Sequence, residues 1–279
     1  MPELKREQME RVRKIAYDLT GITLNANKDV MIKNRIDKLL RQLGMGSDVD
    51  RLLKEVAGGN HTEIFINSFT TNKTDFFREG AHFEDLKDRV LPELFAKNTG
   101  VKIYCAASST GEEPYTIAMT VRETQKKRGA AASNVKILAT DIDTDVLARA
   151  KEGIFRFSPD QNPFPSWVRP PEYFKRRMIE GDYRFLIKAK DSLKSLLSFE
   201  TMNLMSPAYP FKPAEFDVIF CRNVLIYFSQ ADQNKILKKL FRHLKIGGTL
   251  YLGHSESPLD LTSAVRREGR NIFIKIKEA

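Results

Sequence analysis

The stretch Val101-Lys102-Ile103-Tyr104-Cys105-Ala106-Ala107-Ser108-Ser109-Thr110-Gly111-Glu112-Glu113-Pro114-Tyr115 decides how the chain folds. Its first half is apolar, alternating and then continuous, as a buried parallel strand requires. Small polar residues, Ser108 to Gly111, break the run. The chain then resumes as a helix with Pro114 in its first turn, where proline's missing N–H goes unused. A strand, a tight turn and a helix start make a ligand cradle, because free backbone N–H groups and the positive helix end face its contents. Such a turn occurs in many α/β proteins, and one glycine is far weaker than a GxGxxG fingerprint. Glu112 and Glu113 narrow the choice. Carboxylates at a helix start complement its dipole, but they repel phosphate. An acid-floored cradle suits a ligand with a cation and a ribose, and S-adenosylmethionine carries an ammonium, a sulfonium and a ribose.

Downstream, Tyr115–Lys127 reads as helix and Val135–Ile142 as a second buried strand, ending at Asp141-Ile142-Asp143. An acidic residue ending the second strand of a βαβ unit is where an adenosine ribose is held. Asp143 has a simpler explanation as the N-cap of a helix over Thr144–Glu152 that Gly153 closes, which leaves Asp141 as the ribose candidate. Prolines crowd 157–174. After them Tyr183–Lys188 alternates as a strand and Leu193–Phe199 alternates more weakly. These are expected to form a small antiparallel β-subdomain inserted over 157–198, with Glu180-Gly181-Asp182 near a turn. Phe199–Leu204 is expected to rejoin the main sheet.

Phe216–Cys221 is another buried strand, followed by Arg222 and Asn223. Polar residues at the carboxyl end of a buried strand are poor packing but well placed for a ligand in a parallel sheet. Tyr227 reads either as core filler or as a hydroxyl at the rim. Gln230–Leu244 is helix, Gly247-Gly248 a turn and Thr249–Gly253 a fifth strand. Ala264–Glu268 and Asn271–Ile276 are expected to close the sheet as a hairpin around Gly269-Arg270. His254, just after the fifth strand, is read as structural.

Upstream, helices are expected at Leu4–Leu19, Lys28–Leu43, Asp48–Ala57 and Thr62–Phe69, with no strand before residue 100. Residues 1–72 therefore read as an all-helical N-terminal domain and 73–279 as a catalytic domain. On the second helix Arg35, Lys38 and Arg41 recur every third residue. Such a row is either a solvated face or a strip for an acidic helix. Threonine and asparagine make 70–75 an irregular link, which Phe76-Phe77 would anchor. Arg78 follows, either an ordinary surface charge or a fixed cation at the domain junction, where clefts favour ligands. His82–Lys97 reads as a helix leading into the first strand.

The formal net charge of +10 invites a nucleic-acid reading. Lys and Arg are spread along the chain, however, without an arginine-rich arm, and an acidic protein partner accounts for the charge as well. Both cysteines, Cys105 and Cys221, fall in apolar strand-like runs without metal-ligand spacing. Reduced thiols in a reducing cytoplasm, and no metal, are the expectation. The charged opening MPELKREQMER is unlike a secretory leader, and no apolar run approaches the ~20 residues a membrane span needs.

TTNKTDFFRE, AASSTGEEPYTIAM, ATDIDTDVL, Asn203-Leu204, FDVIFCRNVLIYF and GHSES, in this order, resemble the CheR-type chemotaxis receptor methyltransferases over nearly the whole chain. The resemblance implies a Rossmann-like class I S-adenosylmethionine-dependent methyltransferase with an all-helical N-terminal docking domain and an inserted β-subdomain. It implies methyl esterification of glutamates on the cytoplasmic helical domain of methyl-accepting chemotaxis receptors, with S-adenosylhomocysteine as product. It places cofactor contacts at Asn72, Thr74, Arg78, Glu113, Asp141, Asn203, Leu204, Arg222 and Asn223, and ties Arg78 and Tyr227 to methyl transfer. It also turns Arg35, Lys38 and Arg41 towards receptor docking. A monomer that binds no nucleic acid and does not enter the membrane, recruited from the cytoplasm to receptor arrays, is the expectation. Members that tether to a receptor's terminal pentapeptide carry a glycine-rich turn in the β-subdomain. Here that region offers only Gly181, so recognition is expected to be tail-independent. The rival readings are an S-adenosylmethionine enzyme acting on RNA or a small molecule, and a regulatory module that binds without catalysis.

Overall fold

The structure is a computed structural model that describes residues 4–97, 99–128, 134–181 and 183–278. Four helices come first: α1 (Arg6–Thr20), α2 (Asp29–Gln42), α3 (Val49–Ala57) and α4 (Thr62–Phe69). Their apolar stripes meet in a separate core that includes Val12, Ile32, Ile36, Leu52 and Phe69. Gly21 ends α1 in the left-handed region, φ 77°, and donates its N–H to Tyr17 O at 2.7 Å. A Cβ there would lie 2.3 Å from Met205 Cγ, so the helical domain abuts the remainder of the chain closely at this point.

The expected helix over 82–97 is interrupted. It runs as α5 (Ala81–Asp85), a π-turn (Leu86–Val90) and α6 (Leu91–Ala96). Pro92 accounts for the change, since it lacks an N–H and its ring displaces the carbonyl one turn earlier.

β1 (Val101–Ala106) lies near the middle of a seven-stranded sheet, and α7 (Glu112–Arg128) follows its turn. β2 (Val135–Asp141) pairs parallel with β1, and α8 (Thr144–Glu152) begins at Asp143, whose side chain accepts from Asp145 N and Val146 N. The inserted piece is a three-stranded antiparallel sheet of β3 (Ile154–Phe157), β4 (Phe174–Met178) and β5 (Phe185–Ala189), in the order β3-β5-β4. Two short helices, α9 (Pro170–Tyr173) and α10 (Asp191–Lys194), flank it. The expected boundaries of 157–198 need correction at both ends. The insert opens with β3, three residues earlier, and the weak alternation after Leu193 belongs elsewhere. That segment is β6 (Leu197–Thr201), which pairs parallel with β2 as the edge of the main sheet. Of the Glu180-Gly181-Asp182 turn, Asp182 lies outside the described residues.

β7 (Phe216–Cys221) pairs parallel with β1 on the side away from β2. α11 (Gln230–His243), capped by Ser229, leads to β8 (Leu244–Leu252), and β9 (Val265–Gly269) with β10 (Ile272–Lys275) close the edge. The order β6-β2-β1-β7-β8-β10-β9 is parallel except that β10 runs antiparallel to both neighbours. Gly247-Gly248 is not a turn between helix and strand but a bulge inside β8, where Phe216 pairs Leu244 and Val218 pairs Thr249. Only glycine fits at 248, because a Cβ would meet Lys245 O at 2.8 Å. Chain order reverses between β1 and β7, so a Rossmann-like crevice opens at the carboxyl ends of these strands.

Candidate active site

The crevice encloses about 860 Å³, part of it open to solvent. The turn after β1 supplies Ala107, Ser109 and Glu113; the end of β2 supplies Asp141 and Ile142; the segment after β6 supplies Met202, Asn203 and Leu204. Arg222, Asn223, Val224, Tyr227 and Phe228 come from the segment after β7. The link contributes Thr70 to Thr74 and Arg78, and the helical domain adds Thr20 and Ile22. Asn72, Thr74, Arg78, Glu113, Asp141, Asn203, Leu204, Arg222, Asn223 and Tyr227 therefore converge on one cleft between the two domains.

Backbone strain shapes the cradle. Ala107 (φ 55°) and Ser109 (φ 49°) occupy the left-handed region, and Gly111 (φ 105°) packs where a Cβ would lie 2.9 Å from Ala150 Cβ. Asp141 holds this turn: Oδ2 accepts from Ser109 N at 2.8 Å and Oδ1 from Asp143 N at 3.0 Å. Burial raises its carboxyl above the ordinary range, against the pull of those N–H groups. Each oxygen keeps a lone pair for a ribose hydroxyl. Asp143 does more than cap α8. Its Oδ2 accepts from Thr70 Oγ1 at 2.5 Å and Asn72 Nδ2 at 2.8 Å, which fastens the link to the sheet.

Arg222 is the hub of the opposite wall, with its side chain wholly buried. Nη1 meets Glu113 Oε2 at 2.6 Å, Nη2 meets Glu79 Oε2 at 3.1 Å, and Nη2 also donates to Arg78 O. Glu79 accepts in turn from Asn223 Nδ2 at 3.0 Å. Burial pushes the Glu79 carboxyl up, but the Asn223 amide and the Arg222 guanidinium outweigh it and hold the group below its usual value. Two carboxylates against one guanidinium leave a formal negative charge in excess.

His82 does not cancel that charge. It is completely buried and donates from Nε2 to Arg270 O at 2.6 Å. Burial first, and then the adjacent Arg222, pull its pKa down to about 4. A histidine depressed in the folded state has its full stability above the unfolded value near 6.5 and loses it as pH falls towards 4. Between about pH 7.5 and pH 5 this group should remove about 2 kcal/mol of stability. Urea denaturation at both pH values should therefore show a drop smaller by that amount in His82→Phe, and equal drops would contradict the assignment.

Arg78 is partly exposed, with Nη1 donating to Lys73 O at 3.1 Å. Asn203 bridges domains by donating to Leu19 O at 2.9 Å, and Tyr227 O accepts from Thr23 N at 2.9 Å. The basic row on α2 divides. Lys38 is exposed, as is Arg41, which pairs with Asp37 at 2.9 Å. Arg35 instead turns inward over the Phe69 ring at 5.8 Å, its Nη1 buried without a partner among the described residues. Burial lowers its pKa while nearby Tyr227 opposes the shift. Cys105 and Cys221 are buried, and burial raises both thiols, so neither is poised as a nucleophile. Glu79 and Glu256 were not singled out in the sequence. Each stands within a quoted motif, FFRE and GHSES, but its partners come from distant segments.

The donor set fits S-adenosylmethionine. Excess negative charge suits its cationic groups, Asp141 its ribose and Arg78 its carboxylate. Comparison with known proteins agrees. The family model described as "CheR methyltransferase, SAM binding domain" matches residues 72–272, and "CheR methyltransferase, all-alpha domain" matches 7–70. The chemotaxis protein methyltransferase of Escherichia coli (strain K12) is 36% identical, covering 96% of this chain and 90% of that protein. A probable chemotaxis protein methyltransferase of Rhizobium etli is 40% identical, covering 93% of each chain. A chemotaxis protein methyltransferase of Borreliella burgdorferi is 35% identical over 91% of this chain and 89% of its own length. With both of its domains matched and relatives aligned nearly end to end, the chain belongs to the CheR methyltransferase family.

Proposed function

We propose that this methyltransferase esterifies glutamate side chains on the cytoplasmic helical domain of methyl-accepting chemotaxis receptors, leaving S-adenosylhomocysteine as product. The observation that carries the reading is a cleft with an inner wall bearing Glu113 and Asp141 and two cations, Lys73 and Arg78, on the link at its mouth. The acid side suits a sulfonium, and the cations suit an incoming carboxylate.

A glutamate carboxylate, with a reference pKa near ~4.3, is already ionised at neutral pH, so no general base is required. When bound, S-adenosylmethionine supplies a methyl group made electrophilic by its sulfonium. Donor and acceptor charges cancel as the methyl moves, and water would favour the separated charges. The protein's work is to exclude water and hold both groups in line. Arg78 orients the carboxylates, and Tyr227 presents its hydroxyl at the methyl end. Lys38 and Arg41 offer an exposed basic face to an acidic receptor helix, while Arg35 stands between that face and the cleft.

In this reading the chain acts as a monomer on protein rather than nucleic acid, from the cytoplasm, and independently of a receptor tail. No helix among the described residues is long and apolar enough to cross a membrane. Incubation with labelled cofactor and receptor-rich membranes is expected to give protein-bound label that mild alkali releases as methanol. Alkali-stable label would favour an RNA or small-molecule enzyme. Tight, sequence-dependent capture by receptor tail peptides would overturn tail independence.

A further inference from the structure

We infer that Glu256, in the GHSES segment, is a positioning residue for methyl transfer that acts through the turn bearing Asn223 and Tyr227; the inference rests on the role proposed for Tyr227. The Glu256 residue is only 6% exposed, yet its carboxylate accepts four backbone N–H groups. Oε2 takes Gly253 N at 2.6 Å and Asn223 N at 3.0 Å; Oε1 takes Val224 N at 2.9 Å and Leu225 N at 2.8 Å. Consecutive amides pointing at one carboxylate make a nest, a concavity suited to an anion. Asn223 is held at φ 57°, a conformation that costs free energy and persists only where its surroundings enforce it. Leu225, the last of the three consecutive amide donors, opens the single helical turn Leu225–Tyr227, so this anchor sets where the Tyr227 ring leaves the backbone.

A second support fixes the anchor itself. Asn271 Nδ2 donates to Gly253 O at 2.5 Å and Glu256 O at 2.9 Å, tying the GHSES turn to the terminal hairpin. A Cβ at Gly253 would come within 2.7 Å of Asn223 N, so the two turns are in direct backbone contact. The side chain of Asn223 is held separately by Glu79, at 3.0 Å. One carboxylate fixes the side chain and the other the backbone of the same residue.

The test is a double-mutant cycle between Glu256→Gln and Tyr227→Phe. Gln keeps the volume but offers a single acceptor and turns an amide donor towards N–H groups. In the wild-type background Glu256→Gln should lower kcat about tenfold or more, as expected when reacting groups are displaced by a fraction of an ångström. In the Tyr227→Phe background it should lower kcat less than about twofold further, because both changes remove one contribution. S-adenosylhomocysteine affinity, read by calorimetry, should weaken equally in both backgrounds through Asn223. An equal fold-loss of kcat in both backgrounds would overturn the inference, as would wild-type kcat in Glu256→Gln. A Tyr227→Phe enzyme with full kcat would instead remove the Tyr227 role on which the cycle depends, and the inference with it. Should Glu256→Gln fail to fold by circular dichroism, Asn271→Ala, which loosens the turn and spares the carboxylate, takes its place with the same criteria.

Discussion

Arg222→Met is expected to destabilise the fold by about 3–5 kcal/mol and to abolish cofactor binding. The side chain is wholly buried against Glu113 and Glu79, donates to the Arg78 carbonyl, and lies over the Phe83 ring at 5.3 Å. Removing it strands two carboxylates inside the protein, and that penalty exceeds the loss of any one hydrogen bond. Arg222→Lys should recover only part of the stability, since a point-like ammonium lacks the planar fork that reaches two carboxylates and a carbonyl at once. Neutralising one stranded acid in Arg222→Met/Glu79→Gln should restore part of the stability without restoring binding. Urea denaturation followed by circular dichroism measures the first effect and calorimetry the second. An Arg222→Met protein as stable as wild type would refute the charge-hub description.

The second large effect is kinetic. Arg78→Ala and Tyr227→Phe should each lower kcat by about 10–100-fold, the range for a donor placed at the reacting groups. Neither should alter stability by more than about 0.5 kcal/mol. Among the described residues the Arg78 side chain donates to Lys73 O, and Tyr227 is tied to the helical domain through its backbone carbonyl. The contrast with Arg222 is the useful part: Arg222→Met loses stability and cofactor binding, while Arg78→Ala and Tyr227→Phe lose rate. Steady-state kinetics on receptor membranes, alongside thermal denaturation, separates the two. Wild-type turnover in both variants would remove Arg78 and Tyr227 from the chemistry.

What could be read from the sequence follows from how local the determining physics is. The cradle between β1 and α7 was legible because a buried strand, a break of small residues and a helix start are each written in consecutive residues. Asp143 was legible as a cap for the same reason, and its pairing with Thr70 and Asn72 was not, since those lie about seventy positions away. Leu197–Thr201 alternates correctly for a strand, but alternation cannot say which sheet receives it, and the edge of the main sheet did. Pro92 marks the interrupted helix, but a strong apolar period on both sides hides the break. The Arg35-Lys38-Arg41 row shows the same limit. Spacing puts the three near one helix face, while packing against α4 decides that Arg35 points inward. Glu256 could be found only by tracing where its backbone partners converge.

The most direct test of the central claim, an acidic cleft at the sheet's carboxyl edge that holds a sulfonium methyl donor, is calorimetric titration of the purified chain with S-adenosylhomocysteine. One site per chain is expected, weakened by Asp141→Ala and lost in Arg222→Met. Folded wild-type protein that gave no binding heat and no thermal shift with either S-adenosylhomocysteine or S-adenosylmethionine would contradict it.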